Sequence, residues 1–483
     1  MIATLIEKEL KAILLSPKFI AVFAVCSILI LLSIYLGIEE YRASMAHFET
    51  VHAQADQQMR DETRWMALSP RVTRYPDPMQ IFVSGIHNDI GRQAAISQAG
   101  VIKLSNSRYS ENTIFAVFRS MDLMFIVQIV LSLFAILFTY DAINGERENG
   151  TLKLTFANPV PRNSYIIAKL IGSWLGLVIP LLIPVLLGIA MVMLNSIPMT
   201  RAHWQQLALL LGLSVLYFSF FISIGVLISS LTRQSSGSFL YLLVIWVSFV
   251  LIIPRAGVMV AGQFIPVPTA AEISSKLTQK SRELSDQFIA KLKIMSKEQD
   301  ASYAAMQNEE MTTEERQERS KELSDEYMKK MREESEIRSQ ELAKYDAFLN
   351  EDWRNRQAVR EKLGFSLSRF SPASAYQLAA MNLAGTDLNL KSNYEDQLRI
   401  YSGIFNKFRS KKEAEGGRNS YINLLNDSKP EPLDLSEMPE FEFVNPDLNE
   451  ILQSVIIDIG IISIYILMII AGTFIAFIRY DVR

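Results

Sequence analysis

Leu170 to Leu194 reads LIGSWLGLVIPLLIPVLLGIAMVML, 25 consecutive residues without one charged side chain. At about 1.5 Å per residue a helix of that length covers roughly 37 Å, more than a hydrocarbon layer of about 30 Å. Within lipid, every backbone N–H and C=O must be satisfied inside the segment, so such a run reads as a spanning helix. Five more runs share its character: Phe19–Ile38, Leu123–Tyr140, Leu207–Ile228, Phe239–Ile253 and Val455–Ile478. Phe239–Ile253 is short, and is expected to run past Pro254 toward Val260 or to be broken or tilted. A buried helix of a soluble protein is the alternative for any one run, and six in one chain argue against it.

Outside these runs the material changes. The 483-residue chain is 49% hydrophobic and only 20% charged, yet Thr269–Leu363 holds 39 charges, 18 basic and 21 acidic, in 95 residues. The mean hydropathy of +0.17 is an average over two kinds of segment, which excludes an ordinary soluble enzyme. A net charge of −3 leaves no basic footprint for nucleic acid. The one cysteine, Cys26, lies inside an apolar run and can form no intrachain disulfide.

Lys and Arg near span ends set orientation. With the N-terminus cytoplasmic, the inner segments hold Lys8, Lys11, Lys18, Arg147, Lys153, Arg162, Lys169, Arg233, Arg479 and Arg483, while the short outer loop 195–206 holds only Arg201. Six spans return the tail, 479–483, to the cytoplasm. Two large pieces fall outside, 39–122 and 254–454. The expected fold is therefore mainly α: a six-helix polytopic membrane protein with a large extracytoplasmic domain. Lys8, Lys11 and Lys18 before the first run resemble the start of a signal peptide, but the run is long and no small-x-small site follows it, so it reads as a retained anchor.

Thr269–Leu363 contains neither Gly nor Pro and is rich in helix formers. Thr312-Thr313-Glu314-Glu315, after Asn308-Glu309-Glu310, reads as a capping box with Thr312 at the N-cap. Two long antiparallel helices, about 270–309 and 313–363, are expected as a hairpin. Leu277, Leu284, Phe288, Leu292 and Met295, answered by Leu323, Tyr327 and Met331, give a narrow coiled-coil seam. A solvated helix pair without a partner is the other reading. Ser371-Pro372 opens a short helix to about Leu383, and the Pro-rich stretch from Lys429 to Pro446 reads as extended chain leading into the last span.

Chemistry is sparse. His47, His52 and His87 share the first outer piece, but their spacing is loose and no metal is expected. Gly145-Glu146-Arg147-Glu148-Asn149-Gly150-Thr151-Leu152 has two glycines at Walker spacing but lacks the Lys and the Ser/Thr that hold phosphate and Mg²⁺. No nucleophile and base are paired, so no catalytic residue and no bound cofactor are expected. Within the spans, Gly172 and Gly176 permit close helix approach, and Pro180 and Pro184 bend the same helix. Asp458 is the one acid clearly within a run, facing either the bundle or the solvated helix end.

The stretch that follows the second span is Phe138-Thr139-Tyr140-Asp141-Ala142-Ile143-Asn144, then Gly145 to Leu154, then Ala157-Asn158-Pro159-Val160-Pro161-Arg162; Tyr165-Ile166-Ile167-Ala168-Lys169-Leu170 then opens the third span. This resembles the permease subunits of ABC-2-type exporters, whose pattern there is a Glu-rich turn, Gly-Thr-Leu, a short amphipathic helix, a Pro/basic turn and a span opening with Gly/Ala-Lys-Leu. Residues 1–18 look like that family's amphipathic elbow helix, and Ser229–Gly237 like its fourth-to-fifth-span turn. The large insertion before the last span is similar to one branch of the superfamily. The resemblance covers roughly 200 residues and leaves the outer regions uncovered.

The resemblance implies that the cytoplasmic loop 141–169 docks on a separate ABC ATPase subunit. Glu146, Arg147 and Glu148 would make polar contacts there, Leu152, Leu154 and Phe156 would pack, and Gly150 and Thr151 belong to the same coupling stretch. An ordinary amphipathic surface loop is the alternative. It further implies two copies of the ATPase, holding ATP and Mg²⁺, and a second permease chain, identical or paralogous, in the inner membrane. The apolar spans lean toward a lipid-like or amphipathic cargo. The competing function is a membrane anchor or mechanotransmission coupler whose hairpin acts on an extracytoplasmic partner protein.

Overall fold

The computed structural model describes residues 2–63, 65, 68–87, 93–96, 103–105, 121–307, 312–387, 389–416 and 433–478. The tail 479–483 with Arg479 and Arg483, the Asn308-Glu309-Glu310 turn, and Lys429–Pro432 lie outside them. Among the described residues the protein is mainly helical, and six helices are long and apolar enough to cross a membrane. They are α2 (Pro17–Asp61), α3 (Leu123–Glu148), α5 (Arg162–Leu194), α6 (Arg201–Leu231), α7 (Ser235–Phe264) and α12 (Leu448–Ile478). The others are α1 (Ile2–Leu14), α4 (Thr151–Ala157), α8 (Ala270–Gln307), α9 (Thr313–Ser368), α10 (Pro372–Leu383) and α11 (Asn389–Gly416).

Two compact units form, one from Met1–Pro254 with Arg369–Arg483, the other from Arg255–Ser368. In the first, α6 is the central helix. Tyr217, Phe220 and Phe221 on it are completely buried, and it packs against α12, α3, α10 and α5. Its N-terminus is a capping box, with the Thr200 hydroxyl accepting from the His203 N–H and the His203 ring accepting from the Thr200 N–H. Ser16 caps α2 ahead of Pro17, and Ser371 caps α10 ahead of Pro372, two uses of proline where its missing N–H costs nothing.

Two spans carry π turns, Ile126–Leu131 in α3 and Val247–Ile252 in α7. Each leaves a carbonyl bonded to a side chain from elsewhere: Gln128 O accepts from Tyr217 Oη at 3.0 Å, and Phe249 O accepts from Ser371 Oγ. Helix α10 is the buried wedge that meets both turns, bonding the second through its cap Ser371 and the first through Ala373 O. Tyr376 on it is fully buried, stacks on Tyr217 at 4.5 Å and meets Ser214 Oγ at 3.0 Å, while Gln128 Nε2 donates to Ala373 O.

The first spanning helix departs from expectation. The apolar run predicts an end at Ile38, but α2 continues to Asp61 because residues 39–61 contain no Gly or Pro to stop it. The rest of that segment holds a three-stranded antiparallel sheet, Arg71–Thr73, Gln93–Ala95 and Lys103–Ser105, in that spatial order. Val72 and Ala94 on the sheet share a small core with Tyr394, Leu398, Tyr401 and Phe405 of α11, a helix that the sequence pattern does not announce.

The second unit is the hairpin of α8 and α9. Lys291 Nζ meets Glu334 at 2.6 Å, Arg338 lies 4.8 Å from the Phe288 ring centre, and Tyr303 Oη donates to Ser320 O, an antiparallel register. Leu284 is buried, and Leu277, Phe288, Leu292, Met295, Leu323, Tyr327 and Met331 are half-buried, a seam as thin as the pattern indicates. Thr312 and Glu315 exchange hydrogen bonds at the start of α9.

Candidate functional site

The turn after the second span is built by closing one helix and opening another around a glycine. Asn149 N donates to Gly145 O and Gly150 N to Arg147 O, ending α3. Gly150 then takes φ +74°, a left-handed conformation that costs an L-residue about 1–2 kcal/mol. Thr151 starts α4, its hydroxyl donating back to Glu146 O at 3.1 Å.

Glu146 lies at the centre of this turn and points inward. Its carboxylate accepts from Tyr165 Oη at 2.6 Å, from Lys8 Nζ at 2.7 Å and from Lys169 Nζ at 3.1 Å. Lys169 is held on its other side by Glu9 at 2.8 Å. The side chains of Lys169, Glu9 and Glu146 are only 4%, 11% and 14% exposed, whereas Lys8 is 46% exposed. Two buried carboxylates thus share one buried ammonium, and the three belong to α1, α3 and α5. In so dry a setting each charge depends on its partners.

The backbone approach that makes this possible comes from the two glycines. A Cβ on Gly172 would lie 2.6 Å from Glu9 Cβ, and one on Gly176 would lie 3.3 Å from Ile13 Cδ1. Tyr165, Lys169, Gly172 and Gly176 recur at helical spacing, so one stripe of α5 presents a ring, an ammonium and two bare patches to α1. The close helix contact is therefore with α1, not with another span.

A second polar knot ties the same turn to the start of α7. Asn144, wholly buried, donates to Thr232 Oγ1 and accepts from Ser229 Oγ and Ser235 Oγ. Glu148 accepts from the Ser235 N–H at 2.9 Å and hydroxyl at 2.6 Å, capping the first turn of α7 with a carboxylate. Beneath the turn, Leu152 is buried with Ile143, Tyr165, Ile166, Val226 and Phe477, and Phe156 lies 5.3 Å from the Tyr165 ring.

Of the eight loop residues singled out from the sequence, Glu146, Leu152 and Phe156 are therefore turned into the protein's own packing. Arg147 is half-buried and also engaged. The outward surface consists of Glu148, Asn149, Gly150, Thr151, Lys153 and Leu154, with Leu154 at 69% exposure. Sequence reasoning missed Glu9, Tyr165, Asn144 and Ser229 as members of the site. It had Lys8 and Lys169 as topology markers and as parts of the family-like stretches, not as members of the site.

Asp458 is completely buried in α12 and paired with Arg369, whose Nε and Nη2 donate at 2.7 and 3.3 Å. It faces the bundle. The three histidines do not converge: His47 is exposed, His52 approaches Asp56 at 3.6 Å, and His87 is buried beside Arg74 at 3.0 Å. Among the described residues no three His, Cys, Asp or Glu side chains are grouped to hold a metal ion.

Compared with known proteins, residues 3–482 match the family described as ABC-2 family transporter protein. No curated protein matches the sequence.

Proposed function

Because the chain belongs to the ABC-2 transporter family, a family of integral membrane permease components, we propose that it couples ATP hydrolysis on a separate ABC ATPase subunit to cargo movement. The observation that carries this reading is the Glu146 carboxylate. By joining Lys8 of α1 to Tyr165 and Lys169 of α5, it makes the turn, the N-terminal helix and the third span one mechanical piece. A push on the exposed face around Leu154 would then reach the span without being absorbed by the loop.

In this reading the turn faces the cytoplasm of an inner-membrane protein. The ATPase subunit holds ATP and Mg²⁺, and the complex contains two such subunits and two permease chains. The chain itself contributes no catalytic group. The cargo is lipid-like or amphipathic. The test is Leu154→Asp in a complex reconstituted with the ATPase. Stimulated hydrolysis should fall while membrane insertion and thermal stability remain those of the parent, because Leu154 makes no part of the core. Unchanged stimulation would overturn the docking assignment.

A second reading, a coupler acting on an extracytoplasmic partner through the hairpin, is favoured by one specific feature. The turn that follows α9 is bonded to two spans: Arg369 to Asp458, Tyr465 Oη to Phe370 O, and Ser371 Oγ to Phe249 O. Deleting residues 270–363 distinguishes the two. Transport that survives the deletion favours the permease reading alone.

A further inference from the structure

Between α3, α5 and α6 the bundle contains a narrow cleft. It runs from Leu123 to Leu131 on α3, from Val185 to Val178 on α5, and from Leu211 to Phe218 on α6. The three helices alternate in direction, and their stretches are nine, eight and eight residues long by these numbers. At about 1.5 Å per residue each is roughly 10–12 Å from its first Cα to its last. The cleft is therefore a groove parallel to the spans, most of one leaflet deep, since half of the hydrocarbon layer is about 15 Å.

Its lining is aliphatic or aromatic apart from Ser214. That hydroxyl is already engaged, bonding Leu210 O at 2.8 Å and Tyr376 Oη at 3.0 Å. No charge lines the cleft, and its one hydroxyl is committed to protein partners. A polar solute would leave its own groups unpaired there, and water would have too few partners to stay. The walls are also irregular by construction. Val127 and Leu131 lie in the π turn of α3, and Pro180 and Pro184 interrupt hydrogen bonding in α5. π turns recur at functional positions, and here one borders the cleft across from a helix that carries two internal prolines.

We propose that this groove binds one acyl chain of a membrane phospholipid, lying along the span direction. Length, uniform apolarity and a lining drawn wholly from spans all match a hydrocarbon chain; a compact ligand would not use the length, and a polar one would not match the walls. The groove lies at the end of α3 remote from Glu146. The inference thereby deepens the transport reading, on which it rests for the choice of the outer leaflet and for a lipid-like ligand class.

The test uses the full chain alone, reconstituted in phosphatidylcholine vesicles containing a phosphatidylcholine whose acyl chain carries a diazirine. After irradiation, adducts should concentrate at Val127, Leu182 and Val215. Val215→Trp, which fills the groove, should reduce them roughly tenfold, the factor that about 1.4 kcal/mol of lost binding removes. Adducts at Ile456 and Leu467, exposed on α12, should not change. Should Val215→Trp alter the α12 adducts too, the chain has rearranged, and Leu182→Trp at the groove's more exposed rim decides the matter instead. Adducts spread evenly over groove and α12, or groove adducts indifferent to both tryptophans, would mean ordinary bilayer contact and overturn the proposal. Because no ATPase is present, failure here leaves the docking reading standing, and failure of Leu154→Asp leaves this one.

Discussion

Replacing Lys169 by methionine removes the one buried cation that two buried carboxylates share. Lys169 Nζ lies 2.8 Å from Glu9 and 3.1 Å from Glu146, and the three side chains are 4%, 11% and 14% exposed. After the change, Glu9 and Glu146 would face each other with only the half-exposed Lys8 as counter-charge. Removing one partner of a buried pair costs about 3–5 kcal/mol, because the remaining charge is left desolvated. Two stranded charges place Lys169→Met at the upper end of that range. Glu146→Gln should be milder, about 1–2 kcal/mol, since the amide oxygen still accepts from Tyr165 and Lys169 retains Glu9. The double variant should be less destabilised than the two single effects added, because each removes a charge the other needs. Denaturant unfolding in detergent measures all three, with Lys344→Met on the hairpin as a surface control expected within about 0.5 kcal/mol of the parent. A Lys169→Met protein as stable as that control would refute the reading of Glu146 as a structural hub. The same logic governs function. Glu146→Arg would introduce a third cation beside Lys8 and Lys169, so any loss of coupling in that variant would reflect a broken hub rather than a missing docking contact.

Other expectations can be checked independently. A cysteine placed at Ser320 should react with impermeant reagent applied to intact cells, and one at Asn149 should not; labelling of Asn149 from outside would invert the topology. Leu323→Pro removes a backbone donor within α9 and cuts into its seam, at about 3 kcal/mol. It should make the Lys291–Glu334 region sensitive to protease without changing the effect of the ATPase, and an unaltered cleavage pattern would count against a paired hairpin. Arg369→Ala strands the fully buried Asp458 and should destabilise by about 3–5 kcal/mol. Arg369→Ala/Asp458→Leu should recover most of that loss, and no recovery would show that the pair is not what matters there.

The spans were legible because each is a run whose length and apolarity answer one constraint, the thickness of the hydrocarbon layer. The hairpin was legible for an equally local reason: 95 residues without Gly or Pro have few alternatives to helix. What failed locally failed at boundaries. A drop in hydropathy at Ile38 marks where a helix could leave lipid, but only Gly, Pro or a competing cap marks where it stops, so α2 ran on to Asp61. The sheet could not be foreseen, because three strands of three residues each are too short for an alternating pattern to register.

The site was legible in position but not in orientation, and the reason is sequence distance. Glu146 finds its partners 138, 23 and 19 residues away, and Asp458 finds Arg369 at 89. A charged residue in an amphipathic loop looks the same whether it awaits another protein or closes a bond at home. One local cue did exist. Tyr165, Lys169, Gly172 and Gly176 share a helical stripe, and a lysine on the same stripe as two glycines that admit another backbone will be buried by whatever approaches. Burial obliges it to find acids, and α1 carries Glu9 on the face with Ile6, Leu10 and Ile13. Two of the buried ion pairs among the described residues join a non-spanning segment to a span, α1 to α5 and the turn before α10 to α12, and a third, Glu146 to Lys169, joins the end of α3 to α5. Between spans the packing is mostly apolar, with side-chain hydrogen bonds such as Tyr217 Oη to Gln128 O at a few points. Where a segment outside the spans must hold one register against a span, a desolvated charge pair penalises every other register, and the loop and the turn bear that constraint.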